Sequence, residues 1–144
     1  MQNFLVDLIL ESKASTALSM RMARALDMSE HNEQEQHLIR IGTALGKYWI
    51  CKRTPGHTYE AMECIGGGGV MKDFIMPRLF RESPIHTIWE ESGNVQCLDM
   101  LRTLQKAPKS FDTFLNGIHL NESKHPLTPE ALNSFQADFS DKEI

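Results

Sequence analysis

Residues 3–27, NFLVDLILESKASTALSMRMARALD, place Leu5, Leu8, Ser12, Ser15, Leu18, Met22 and Ala25 three and four residues apart. That spacing lines them up on one face of a long helix, and a helix of that length must bury its face against others. Small residues dominate its second half, which lets a neighbouring helix come close. After a polar break at 28–33, with Ser29 as candidate N-cap, Leu38, Ile41, Leu45 and Trp49 trace a second apolar stripe over 33–53. Gly42 and Gly46 stand inside that helix at a cost of about 1 kcal/mol each against alanine, so another backbone is expected to pack there. Pro55-Gly56 reads as punctuation before a short helix over 57–65. Pro77 suits a helix first turn in MPRLFRES. Ser92 is the expected N-cap of a helix over 93–106, with Val95, Leu98, Leu101 and Leu104 inward and Pro108 ending it. Further helices are expected over 110–120 and 129–138, with a linker at 121–128. No period-two pattern persists, so the expected fold is all-α, an antiparallel four-helix-type bundle with a glycine-rich connection.

The connection is ECIGGGGVMKD, residues 63–73, with four consecutive glycines at 66–69. Glycine loses the most conformational freedom on folding, so the run needs a reason. A hairpin, a phosphate cradle and a close approach of backbone to a large ligand are the candidates. A P-loop requires a strand before the run and Lys-Ser or Lys-Thr after it, but Val70 and Met71 follow. A dinucleotide fingerprint requires a strand and a third glycine where Met71 stands. The plain reading is a helix C-cap with a flexible turn.

Other features bound the function. The 144 residues suffice for one core, and a net charge of −4 does not predict DNA binding, although a local basic patch is compatible with it. Residues 99–144 carry five basic against seven acidic groups, so the C-terminal region has no basic stripe. No apolar run reaches membrane-span length, and Asp7 and Glu11 interrupt the first apolar stretch where a signal peptide would lie. Cys51, Cys64 and Cys97 are odd in number and lack metal-ligand spacing, which reads as reduced, mostly buried thiols of a cytoplasmic protein. His31, Glu33, Glu35 and His37 mimic a di-iron pattern, but Glu33 to His37 is one residue too long and has no second copy; a solvated helix start is expected and no metal. Lys47, Lys52, Arg53, Arg78 and Arg81 read equally as phosphate contacts or as surface salt bridges.

Read together, YWICKRTPGHTYEAMECIGGGGVMKDFIMPRLFRESPIHTIWEESGNVQCLDMLR, residues 48–102, resembles the C-terminal helical domain of acyl-CoA dehydrogenase flavoproteins, nearest their AidB-like, alkylation-response branch. The pieces AMECIGG, PRLFRE and IWE-x-SGN-x-QCLD-x-LR occur in family order and spacing. The resemblance extends over 13–106 and fades beyond 108, which implies a bundle over 1–107 and a C-terminal helical extension over 108–144 whose role it does not supply.

The resemblance implies that Glu63, Gly66 and Gly67 lie against FAD, commonly that of a neighbouring subunit, within a dimer or tetramer. It implies that Ser92, Gly93 and Asn94, at a helix N-terminus, also serve FAD, with Trp89 excluding water. It assigns Glu90 as the general base that takes the α-proton of an acyl-CoA-type thioester. Glu91 stands where the family has glycine, adding a second carboxylate beside the base and leaving the substrate class open. The family's N-terminal helical domain and middle β-domain are absent from these 144 residues, so a fragment or truncated product is expected, without dehydrogenase activity alone and with weak flavin binding at best. The alternative is a non-catalytic, self-associating helical module. A DNA-associated protein, as in the AidB-like branch, is third.

Overall fold

In the computed structural model, residues 2–89 and 92–120 are described, together with 130, 133, 134 and 137. The described chain is helical and contains no strand. Helix α1 spans Gln2–Met28, α2 Glu33–Ile65, α3 Met76–Glu82, α4 Gly93–Lys106 and α5 Pro108–Leu120. Short 3-10 helices fill Gly66–Val70 and Ser83–Thr87. The expected linker at 121–128 and most of the helix at 129–138 lie outside the described residues.

Helix α2 is the axis against which every other helix rests. Ala25 of α1 and Ile41 and Ala44 of α2 are buried apolar residues, Ala44 on the side of α2 that faces α4. Small residues set the spacing of the α1–α2 seam. A Cβ on Gly42 would stand 2.5 Å from the Met22 sulfur, and one on Gly46 would stand 3.3 Å from Leu18 Cδ2. Side chains of α1, rather than its backbone, therefore fill the notch that the sequence predicts. The outer edges of the seam are tied by Arg21–Glu35 at 2.7 Å and by the Arg53–Glu11 pair.

Two boundaries differ from expectation. Asn32, not Ser29, caps α2: its side-chain oxygen accepts from the amides of Gln34 and Glu35. Ser29 instead closes α1, donating to the Leu26 carbonyl at 2.7 Å. A short polar side chain serves either end of a helix break, and here the residue next to the first helical turn wins. The Pro55-Gly56 pair does not end the helix, and α2 runs through it. Proline removes one backbone donor and crowds the preceding turn. Nearby hydroxyls bind the carbonyls around it: Thr54 donates to Ile50, and the Thr58 hydroxyl lies 3.0 Å from the carbonyls of both Thr54 and Pro55. The buried Ser83 packs its hydroxyl 3.1 Å from that of Thr58 and donates to the Phe80 carbonyl. Tertiary packing thus holds together a helix that local sequence would break.

Helix α4 also turns over. Val95, Leu98 and Leu101 are exposed, at 37%, 52% and 44%, and Leu104 is half-buried, whereas Gln96 and Thr103 are buried. The polar face meets α2, where Arg40 makes a two-pronged bond to Asp99, at 2.7 and 2.9 Å. Thr103 returns its hydroxyl to the Asp99 carbonyl, so its burial leaves no unmet donor. Helix α5 is seated on α2 through Ser110, fully buried, 3.1 Å from His37 Nδ1. The cysteines are less covered than expected: Cys51 and Cys64 are half-buried and Cys97 is exposed.

Candidate functional site

The glycine run resolves into distinct duties. Gly66 is the C-cap of α2 at φ 73°, ψ −150°, a conformation open to glycine and to almost nothing else. Its amide donates to the Glu63 carbonyl, turning the chain into the 3-10 helix. Gly69 is buried, and a Cβ there would sit 2.5 Å from the Met62 carbonyl oxygen. The close backbone approach is therefore real, but its partner is the last turn of α2. A Cβ on Gly67 would meet nothing within 4 Å, so the fold does not demand glycine there. A Cβ on Gly68 would stand in ordinary contact with Phe74, at 3.5 Å.

Glu63 lies on the exposed side of the last turn of α2. Its carboxylate accepts from the Tyr59 hydroxyl at 2.8 Å, one helical turn earlier. That bond, and repulsion from the same carboxylate, hold the Tyr59 phenol above the ordinary tyrosine range. The ring of Tyr59 leans on Phe80 of α3 with centroids 6.0 Å apart. Sequence reasoning missed Tyr59; its four-residue offset from Glu63 was the available signal.

The second predicted cluster sits at the start of α4. Ser92 holds the N-cap position, and its carbonyl accepts from the amides of Val95 and Gln96. Its hydroxyl makes no capping bond, in contrast to the expected role. The first-turn amides of Gly93 and Asn94 belong to the set that has no partner inside a helix. Gly93 is pressed against α2: a Cβ there would be 2.8 Å from Lys52 Cε and 3.1 Å from Tyr48 Cε2. The stem of a lysine thus lies at the positive end of a helix dipole, an arrangement that favours an anion between them. Trp89 is 53% exposed and stands edge-on to His86, with ring centroids 5.8 Å apart. Glu90 and Glu91 lie outside the described residues.

The two clusters share one helix but not one site. Lys52 and Glu63 are eleven residues apart on α2, which at the helical rise is about 16 Å along its axis. Two of the other predicted cations are engaged elsewhere: Arg78 pairs with Glu82 at 2.8 Å, and Arg53 pairs with Glu11 and covers the Trp49 ring at 5.2 Å. Of the His31 to His37 group, Glu35 belongs to Arg21, and His37 lies between Ser110 and Glu33. A wide groove of about 770 Å³ runs between α1 and α2, lined by Phe4, Leu8, Ala14 and Trp49 beneath the Glu11–Arg53 pair. Lys52 lines it as well, but Glu63, Gly66, Gly67, Trp89 and Ser92 to Asn94 do not.

Residues 1–105 match the family described as acyl-CoA dehydrogenase, C-terminal domain. The chain is 41% identical over 112 residues to the putative acyl-CoA dehydrogenase AidB of Escherichia coli (strain K12), covering 78% of this chain and 20% of that protein. It is 34% identical over 95 residues to acyl-CoA dehydrogenase family member 11 of Caenorhabditis elegans, covering 64% of this chain and 15% of the relative. In structure it is similar to the apo form of Bd2924, with a TM-score of 0.84 at 28% identity over 99% of this chain and 28% of the other. It is also similar to Caenorhabditis elegans ACDH-11 in complex with C11-CoA, with a TM-score of 0.81 at 26% identity over 94% and 25%. The chain therefore spans a fifth or less of the curated relatives' length. With the family's helical fold and its AMECIGG and IWE-x-SGN signatures both present, this chain belongs to the acyl-CoA dehydrogenase family and corresponds to its C-terminal domain.

Proposed function

We propose that this chain serves an FAD-dependent, acyl-CoA dehydrogenase-like oxidoreductase as the domain that contacts flavin nucleotide, supplies the base and self-associates. The observation that carries the reading is the end of α2: Gly66 forces the turn, Gly67 leaves its flank open, and Glu63 stands exposed beside them. A flat, extended ligand fits against backbone that carries no Cβ. The start of α4 fits a phosphate, with the Gly93 and Asn94 amides and Lys52 presenting positive charge. Bound FAD supplies a hydride acceptor. Glu90 would take the α-proton of an acyl thioester, a task for which an apolar pocket suits a carboxylate by raising its pKa towards working pH.

The test is equilibrium dialysis of the chain against FAD. Gly67→Ala is structurally permitted, since a Cβ there would meet nothing within 4 Å. It is expected to weaken FAD binding about tenfold by overfilling the contact, with an unchanged melting temperature. Unchanged affinity would sink the reading.

One observation favours a second reading, a self-associating module without chemistry of its own. The exposed Leu98 and Leu101 of α4 and the exposed Phe4, Leu5, Ile9 and Leu10 of α1 are apolar surface of the kind that partners cover. An assembly that takes up no FAD in the same dialysis would select it.

A further inference from the structure

Pro55 and Gly56 stand side by side inside α2, and they are the two residue types least suited to a helix interior. The proline removes the donor that the Cys51 carbonyl would use and crowds that turn. The glycine has no packing reason, since a Cβ on it would meet nothing within 4 Å. Unlike Gly42, Gly46 and Gly69, it makes room for no neighbour. A Pro-Gly pair that weakens the helix and answers no steric need marks a joint.

The two sides of the joint differ. On one, the Thr58 hydroxyl lies 3.1 Å from that of Ser83, which is buried and donates to the Phe80 carbonyl at 2.8 Å. The 3-10 helix Ser83–Thr87 lies across α2 there as a strap. Two residues are about half a turn of helix, so Gly56 lies on the opposite side from Thr58. Gly56 lines the groove of about 770 Å³, whose far wall is Phe4, Leu8 and Ala14 of α1. Close to the joint, α1 and α2 are tied by the Glu11–Arg53 pair and by Ser12 Oγ, 3.4 Å from His57 Nε2. Beyond His57, no hydrogen bond or ion pair joins α2 to α1 among the described residues. The last turns of α2 thus face open space on one side, and the strap and the Tyr59–Phe80 ring contact on the other. Closing the space takes Phe4, Leu8 and Trp49 out of water; it forfeits the strap and ring contacts.

We propose that Pro55-Gly56 is a hinge. The arm of α2 that follows it, through Ile65, pivots between the strapped position of this structure and one closed onto the first turns of α1. The arm carries Glu63 and the glycine turn, while Lys52 stays against α4, so the pivot changes the separation of the two candidate clusters. The inference does not depend on the flavin reading, and its test contains no flavin.

Double electron–electron resonance measures the distance between spin labels on Val6→Cys and Ile65→Cys in the 144-residue chain, with Cys51, Cys64 and Cys97 replaced by serine. Both label positions are exposed and neither lines the groove. Two distances are expected. Ser83→Ala is expected to shift their ratio towards the shorter one about three- to tenfold, the value of one hydrogen bond. Pro55→Ala combined with Gly56→Ala restores an uninterrupted helix and is expected to leave the longer distance alone. If Ser83 were merely structural, Ser83→Ala would lower the melting temperature and leave the ratio where it was, which overturns the proposal. A single distance common to the three proteins also overturns it, as does a double variant that keeps the shorter distance.

Discussion

Gly66 and Gly69 are glycines for reasons internal to the chain, and Gly67 is not. Gly66 sits at φ 73°, ψ −150°, and Gly69 leaves room for the Met62 carbonyl, which a Cβ would approach to 2.5 Å. We expect Gly66→Ala and Gly69→Ala each to destabilise the chain by about 1–3 kcal/mol, the first through backbone strain and the second through overpacking. Gly67→Ala should leave denaturant midpoints where they are. A Gly69→Ala protein as stable as the wild type would contradict the packing described. The sequence announced that the run needed a reason, and excluded the P-loop and the dinucleotide fingerprint. It did not divide the labour among the four positions, because a Cβ clash depends on which neighbour the fold brings within reach. Likewise the motif named Glu63 as a candidate. It did not name Tyr59, its partner, since many surface pairs four apart never bond.

At the scale of elements, α4 shows what a hydrophobic pattern leaves open. Its spacing correctly marks a helix from Gly93 to Lys106. Which face turns inward is seen only in the structure, from the Arg40–Asp99 clasp and the buried Gln96 and Thr103. The Arg40 guanidinium holds the Asp99 carboxyl below the ordinary aspartate range, chiefly by hydrogen bonding. A carboxyl depressed in this way stabilises the fold fully above the ordinary aspartate range. The contribution is lost as the pH falls through the lower folded value. Asp99 is 29% exposed and Arg40 48%, so solvent screens the pair and it is worth no more than about 1 kcal/mol. Thermal melts between neutral and acid pH should show Asp99→Asn less stable at neutral pH and converging on the wild type in acid. Parallel curves that never converge would remove the clasp from the account of α4. The same logic explains α2: Pro55 reads as a stop locally, but the Thr54 and Thr58 hydroxyls bind carbonyls around it, and Thr58 also lies within bonding distance of Ser83 in the docked 3-10 helix.

For the whole molecule, the balance of covered and uncovered surface is the informative quantity. Among the described residues, the buried apolar ones are Ala25, Ile41 and Ala44, while Phe4, Leu5, Ile9, Leu98, Leu101 and Trp89 are exposed among others. A helix segment such as Phe4–Leu10, apolar around most of its circumference, is normally enclosed. We expect concentration-dependent self-association in sedimentation velocity. Replacing Leu98 and Leu101 together by glutamate should weaken it about tenfold while helicity is retained, as for anchor residues at an interface core. Association unchanged by that double substitution would place the contact elsewhere. No described helix is long and apolar enough to cross a membrane.

The amino-acid order by itself determined that the chain is helical, where its long helices run, and which family signatures it carries. Those properties follow from short-range periodicity and from residues read in fixed succession. Only the tertiary structure decided that α2 continues through Pro55, that α4 offers its leucines outward, and that Gly69 rather than Gly67 is locked by its own helix. Each of these depends on what a residue meets across space. A face is inward only when another element lies against it, and here α2 lies against the Gln96 and Asp99 side of α4 and leaves the leucines outward.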